Sequence, residues 1–204
     1  MVYVRVEVVP AAAVERERRR RARSSGGGRE GTVGCPSVLK DTLKNYGGGV
    51  FLGQRDGDWF SARVTGYQFP DAEDPRRRFS WHVLAGDANC ADGAWSFAWA
   101  AMACHESPLV SDWLREAASG RKSALVDREG WLRFTEPNLS FRVAEATDDA
   151  ITIEVAFDLE FQPPWHKRRG AGDPFVVRLQ SGPEQLLRAA NEWDHERAPF
   201  PDGP

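Results

Sequence analysis

Between Ile151 and Phe161 the chain alternates with period two. Ile151, Ile153, Val155, Phe157, Leu159 and Phe161 are apolar, and Thr152, Glu154, Asp158 and Glu160 fall between them. Successive side chains of a β-strand point to opposite faces, so this spacing predicts a strand with one face in a core and the other in water. Ala156 alone interrupts the polar set. Leu139, Phe141 and Val143 repeat the pattern beside Ser140 and Arg142, and Thr147-Asp148-Asp149 supplies the turn chemistry between the two runs. The expectation is an antiparallel hairpin with an acidic outer surface.

Other stretches carry the same period. Val50 to Leu52 and Trp59 to Phe69 bracket Arg55-Asp56-Gly57-Asp58, and Asp-Gly between apolar runs is a strong hairpin signal. Phe79, Trp81, Val83 and Ala85, then Trp95, Phe97, Trp99 and Ala101, read as two further strands with their aromatic residues facing one way into a core. The period then changes to about 3.6. Ser107-Pro108 opens a helix whose stripe is Leu109, Val110, Trp113, Leu114 and Ala117, and Gly120 ends it. After a short strand at Phe175 to Leu179, Ser181 with Glu184 resembles a capping box ahead of a second stripe, Leu186, Leu187, Ala190 and Trp193. The order is four strands, a helix, three or four strands, and a helix. This predicts an α+β fold of about seven to eight antiparallel strands with two amphipathic helices on one face or end.

Charge divides the chain. Residues 1–49 carry 10 basic and 5 acidic side chains, near +5, whereas 17 basic and 25 acidic from Val50 onward leave that part near −8, together the formal −3. The first segment includes Glu15 to Arg23 (ERERRRRAR) and two Gly tracts, which cannot bury enough surface to offset the entropy of ordering. A disordered basic, Gly-rich extension over 1–49 and a single domain over 50–204 are expected. An acidic domain disfavours direct nucleic-acid binding and suits a basic protein partner. No apolar run approaches the roughly 20 residues of a membrane span, and no signal-peptide pattern opens the chain, so a cytoplasmic protein without membrane contact is expected. Cys35, Cys90 and Cys104, without CxxC spacing, fit a reducing compartment.

Catalytic signatures are thin. Cys90, Cys104 and His105 match no zinc spacing, so no metal is expected. The Gly tracts lack the strand, helix and lysine of a phosphate-binding loop, and no Ser or Cys sits in a nucleophile-elbow context, so no cofactor and no acyl-transfer triad are expected. Glu154, Asp158 and Glu160 would share one strand face, where residues two apart lie roughly 6.6 to 7 Å from one another, the range of an inverting glycosidase pair. An open polar face would leave them solvated, without the cleft that raises one pKa. The stretch Trp165-His166-Lys167-Arg168-Arg169 reads as a basic surface loop.

Several ordered motifs resemble one family. They are Tyr67-Gln68-Phe69-Pro70, Gly93-Ala94-Trp95-Ser96-Phe97, Trp113-Leu114-Arg115, Phe134-Thr135-Glu136-Pro137-Asn138-Leu139-Ser140-Phe141, Asp158-Leu159-Glu160 with Pro163-Pro164-Trp165, and Glu192-Trp193-Asp194 with Ala198-Pro199-Phe200-Pro201. Together they are similar to the WapI-type immunity proteins of actinobacteria from about Val50 to the end. The resemblance implies a non-enzymatic protein that binds and neutralises the C-terminal domain of a contact-dependent toxin, often a tRNA-cleaving nuclease. It carries over no catalytic residue. An acidic face of Glu154, Asp158 and Glu160 beside Trp165 is the expected partner surface, steering onto a basic nuclease. The alternative is a small-molecule-binding protein or carboxylate-dependent hydrolase with a pocket between sheet and helices.

Overall fold

The computed structural model describes residues 49–167 and 172–203. The expected basic extension therefore lies outside the described residues, save Gly49. Eight strands form two four-stranded antiparallel sheets, each joined in sequence order. The first sheet holds β1 (Val50–Gly53), β2 (Trp59–Tyr67), β3 (Trp81–Cys90) and β4 (Gly93–Ala103). The second holds β5 (Trp131–Arg133), β6 (Leu139–Ala146), β7 (Ile151–Phe157) and β8 (Phe175–Ser181). A short helix α1 (Pro75–Arg78) lies in the β2–β3 connection, α2 (Ser107–Ala118) follows the first sheet, and α3 (Pro183–Arg197) follows the second. The α+β class and the order of elements agree with the alternation and stripes of the sequence.

Both sheets bury their apolar faces in one core. Phe60 of β2 lies edge-on to Phe141 of β6 and Phe157 of β7, each with ring centroids 5.8 Å apart, and Trp95 of β4 meets Phe157 at 4.9 Å. Offset and edge-to-face rings satisfy the aromatic quadrupoles while removing a large apolar area from water. Ile151, Ile153, Val155 and Phe157 are all buried, as their spacing predicts. The helices close the same core: Trp113 of α2 packs on Phe141, and the indole of Trp193 on α3 donates to the carbonyl of Ser107, 2.8 Å away.

Three local expectations are corrected. In β3 the buried residues are His82, Leu84 and Ala88, so Trp81, Val83 and Ala85 lie on the other face. Gly86 explains the inversion: a Cβ there would come within 2.1 Å of the Ser61 carbonyl oxygen and 2.6 Å of the Phe97 ring, so a residue too small to register as apolar occupies a core-facing position. Ser181 does not cap α3; Gly182 stands at the N-cap, and the Ser181 hydroxyl accepts from Gly53 N at 3.0 Å. With Gln185 donating to Gly53 O at 2.8 Å, that contact ties the end of β1 to β8 and α3. Helix α2 is led by a 3-10 turn over Cys104–Glu106 rather than starting from Ser107 as its cap. Buried Glu106 accepts from Ala103 N, Thr135 N and the Thr135 hydroxyl, pinning the helix to the approach to β6.

The chain end returns to β3. His82, 1% exposed, lies between the Ser107 hydroxyl (Nδ1, 2.5 Å) and the Phe200 carbonyl (Nε2, 2.9 Å). A carbonyl can only accept, so neutral His82 carries its proton on Nε2 and Nδ1 accepts from Ser107. The Tyr67 hydroxyl donates to Pro201 O at 2.7 Å. Burial, the largest influence, pushes the His82 pKa below its ordinary 6.5; Arg197 pushes the same way, while the Phe200 carbonyl and Asp202 pull against it.

Two outcomes follow from this packing. Gly86→Ala should destabilise the fold by about 1–3 kcal/mol or more, read as a lowered denaturant midpoint at constant slope, because the facing atom is backbone and cannot swing away. The lowered pKa means that unfolded chains bind more protons than folded ones as pH falls from 6.5 toward the folded value. The His82 contribution is thus fully present above 6.5 and lost on acidification through that window. Denaturant titrations at pH 7.5 and 5 should show a loss of stability that is smaller in His82→Gln.

Candidate partner-binding surface

The four residues expected to form one acidic surface occupy three different environments. Glu154 lies on the outer face of β7, but register sets it opposite Arg142 of β6 and Arg178 of β8. Arg142 donates to it through two nitrogens, one at 3.0 Å, and Arg178 approaches at 3.5 Å while bonding Glu145 at 2.8 Å. The Arg142 guanidinium also stacks on Trp131, 4.6 Å from the ring centroid. The expected acidic hairpin surface is therefore a ladder of alternating signs. Cross-strand neighbours set this, and they are invisible to a count along one strand.

The strand itself stops earlier than its pattern. It ends at Phe157, and Leu159–Phe161 form a 3-10 turn, with Leu159 at φ +50°. Asp158 and Glu160 consequently do not share a strand face with Glu154, and the spacing argument for a glycosidase pair loses its geometry. The alternation continued because Phe161 still points inward, its ring 4.3 Å from Phe97 and its carbonyl accepting from the Trp95 indole at 2.9 Å.

Asp158 is 6% exposed. One carboxylate oxygen accepts from Leu159 N at 2.8 Å and Gln162 Nε2 at 3.0 Å, and the other from Gly172 N at 3.2 Å. Gln162, itself buried, also donates to Asp173 O at 2.9 Å, and the His166 ring bonds the same carbonyl at 3.0 Å. This carboxylate ties the 3-10 turn and Gln162 to Gly172. Its role is architectural: a buried carboxylate persists where its lone pairs meet donors.

Glu160 and Trp165 are the two of the four that reach solvent. Glu160 is exposed and accepts from the buried Asn138 side chain at 2.8 Å. Trp165 stands edge-on to Trp95 at 5.6 Å, over Gly93, and keeps 37% of its surface accessible. Residue Trp99, assigned to the core by alternation, is 50% exposed on the same β4 face as Trp95 and Phe97. Nothing in its own stretch distinguishes it from those two, and its cross-strand partner Leu84 is fully buried. Exposed Trp residues beside well-packed aromatics are the type that anchors protein interfaces.

The remaining chemistry is sparse among the described residues. No group of three His, Cys, Asp or Glu side chains is close enough to hold a metal ion. Burial pushes the Cys104 thiol up to about 12, with Asp202 acting in the same sense, and burial also raises Cys90, so neither is a ready thiolate. The region between sheets and helices, where a pocket was the alternative expectation, is filled by Phe60, Phe141, Phe157, Trp113 and Trp193. A cleft of about 510 Å³ lies elsewhere, lined by Phe79, Trp81, Arg76, His105 and Asp202 among others, and it is open. No helix among the described residues is long and apolar enough to cross a membrane.

The contrast between neighbours is measurable. Asp158→Ala strips the acceptor from three donors and should cost about 2–4 kcal/mol in chemical denaturation, whereas Glu160→Ala at the surface should stay within about 0.5 kcal/mol.

Comparison with known proteins agrees with the motif resemblance. The family profile described as "Immunity protein WapI-like family" matches residues 51–201, which takes in both sheets and all three helices. No curated protein and no solved structure matches the chain. With most of its length inside that match, the chain belongs to the WapI-like immunity protein family.

Proposed function

We propose that this protein is a stoichiometric inhibitor that binds and neutralises the toxic C-terminal domain of a contact-dependent toxin, acting in the cytoplasm and without catalysis. Family membership over residues 51–201 is the observation that carries this reading. The target is a nuclease, with tRNA as the leading substrate, and the inhibitor acts by covering the surface that would hold the nucleic acid. The acidic balance from Val50 onward supports a basic partner, since opposite fields speed encounter and orient docking.

We assign the contact to the end of the sandwich where the 3-10 turn and Trp165 emerge. Trp165 supplies a rigid aromatic anchor, and Glu160 a carboxylate for a basic neighbour. Glu154 and Asp158 contribute by holding this surface in place, Glu154 within its arginine ladder and Asp158 beneath the loop. We further assign the activity to residues 50–204, leaving the basic extension dispensable.

The test is to look for a neighbouring gene that encodes a large secreted protein, and to measure rescue of growth when this chain is co-expressed with that protein's C-terminal domain. Rescue by the wild type, and equally by a chain starting at Val50, is expected. Trp165→Ala should weaken binding to that domain by 2 kcal/mol or more, about 30-fold, in calorimetry, and Glu160→Lys should chiefly slow association and flatten its salt dependence. Binding unchanged in both variants would move the contact to another surface; absence of rescue by the wild type would overturn the inhibitor reading itself.

A further inference from the structure

An uncapped sheet edge makes a protein sticky, and three of the four edges here are blunted. β1 has four residues and is tied at Gly53 to Ser181 and Gln185; β5 has three and carries Arg133; β8 carries Arg178, engaged with Glu145 and Glu154. Short strands, charges and covering contacts are the usual means of blocking edge-to-edge pairing. β4 has none of them over most of its length. It runs for 11 residues, Gly-Ala-Trp-Ser-Phe-Ala-Trp-Ala-Ala-Met-Ala, without a charge or a proline. Among the described residues, no backbone group outside the sheet hydrogen-bonds to Gly93 through Ala100.

The order of residues on this edge selects an occupant. Ala94-Trp95-Ser96-Phe97-Ala98-Trp99-Ala100 reads nearly the same in both directions about Phe97. In an antiparallel pair related by a twofold axis at Phe97, Ala94 stands opposite Ala100, Trp95 opposite Trp99, and Ser96 opposite Ala98. Large then meets large on one face and small meets small on the other, which is the self-complementarity an isologous contact requires. We propose that β4 pairs with β4 of a second copy of this chain about that axis, joining two four-stranded sheets into one of eight strands.

Exposure and charge agree with that occupant. Trp95, Phe97 and Trp99 share a face in the register with β3, and of the three Trp99 is the one left half exposed. The pairing sets each Trp99 opposite the other copy's Trp95, and Trp165 packs edge-on to Trp95 within its own chain. Two of the large exposed apolar side chains of this protein thus come together across the junction. The charges are also compatible: exposed Asp92 at the strand's start falls opposite Met102, and no two carboxylates face one another along the pair. The seven-residue motif spans about 24 Å, enough for a continuous ladder across the axis.

The experiment is sedimentation velocity on the full chain from low to high micromolar concentration, and it needs no toxin. The expected species has twice the 22.8 kDa chain mass. Ala98→Lys changes an exposed side chain and puts two lysines diagonally across the axis on the outer face, so it should return the mass to 22.8 kDa with an unchanged circular dichroism spectrum. Trp99→Ser should weaken dimerisation at least 10-fold, and it carries the test should Ala98→Lys fail to fold. A wild type monomeric at high micromolar concentration overturns the proposal and leaves this edge to a strand of another protein. A dimer that survives both substitutions also overturns it, because the contact would then lie on a different face.

Discussion

The contact of Phe60 with Phe141 and Phe157 is the constraint on which the rest of this protein depends. Each sheet is a meander that could form from its own hairpins, yet neither has a second layer of its own. The rings meet edge-on across the gap and fix the distance and angle at which the two sheets can be covered together. α2 and α3 then fill the space beside them, with Trp113 against Phe141 and Trp193 bonded to the first turn of α2. One core forms from two halves of the chain that each end in a helix.

The surface proposed for partner contact lies where the strand β7 ends. At one end the second sheet gives way to the 3-10 turn, and Phe161 continues the core beneath β4 after the strand has ended. Asp158 becomes a buried anchor for the loop that follows, and Trp165 is delivered to the surface on top of Trp95. On β4, Trp99 remains half uncovered. The proposed partner contact and the proposed self-pairing would both draw on aromatic residues around Trp95, which packs against Phe157 and Trp165.

Polar groups are used sparingly and to structural ends. Buried Glu106, Asp158 and His82 each receive or donate several hydrogen bonds, and each joins elements distant in sequence: α2 to the approach to β6, the 3-10 turn to Gly172, and β3 to the chain end. A carboxylate satisfied in this way clasps the elements whose fixed donors hold it.

What the sequence determined by itself is the order of the eight strands and the two long helices and, for β7 and α2, the side each buries. Period two over Ile151 to Phe157 and period 3.6 over Val110 to Ala117 are direct consequences of strand and helix geometry, so they survive without knowledge of any neighbour. The family, too, was legible, because its motifs are ordered along one chain. What the tertiary structure decided are properties that belong to pairs. Glu154 is paired with arginines on two adjacent strands, Asp158 accepts from Gly172 14 residues away, β3 sets Gly86 rather than a larger residue against Phe97, and Trp99 stays half exposed although its cross-strand partner Leu84 is fully buried. Alternation tells which way a side chain points; what stands in front of it is set by the packing of other segments.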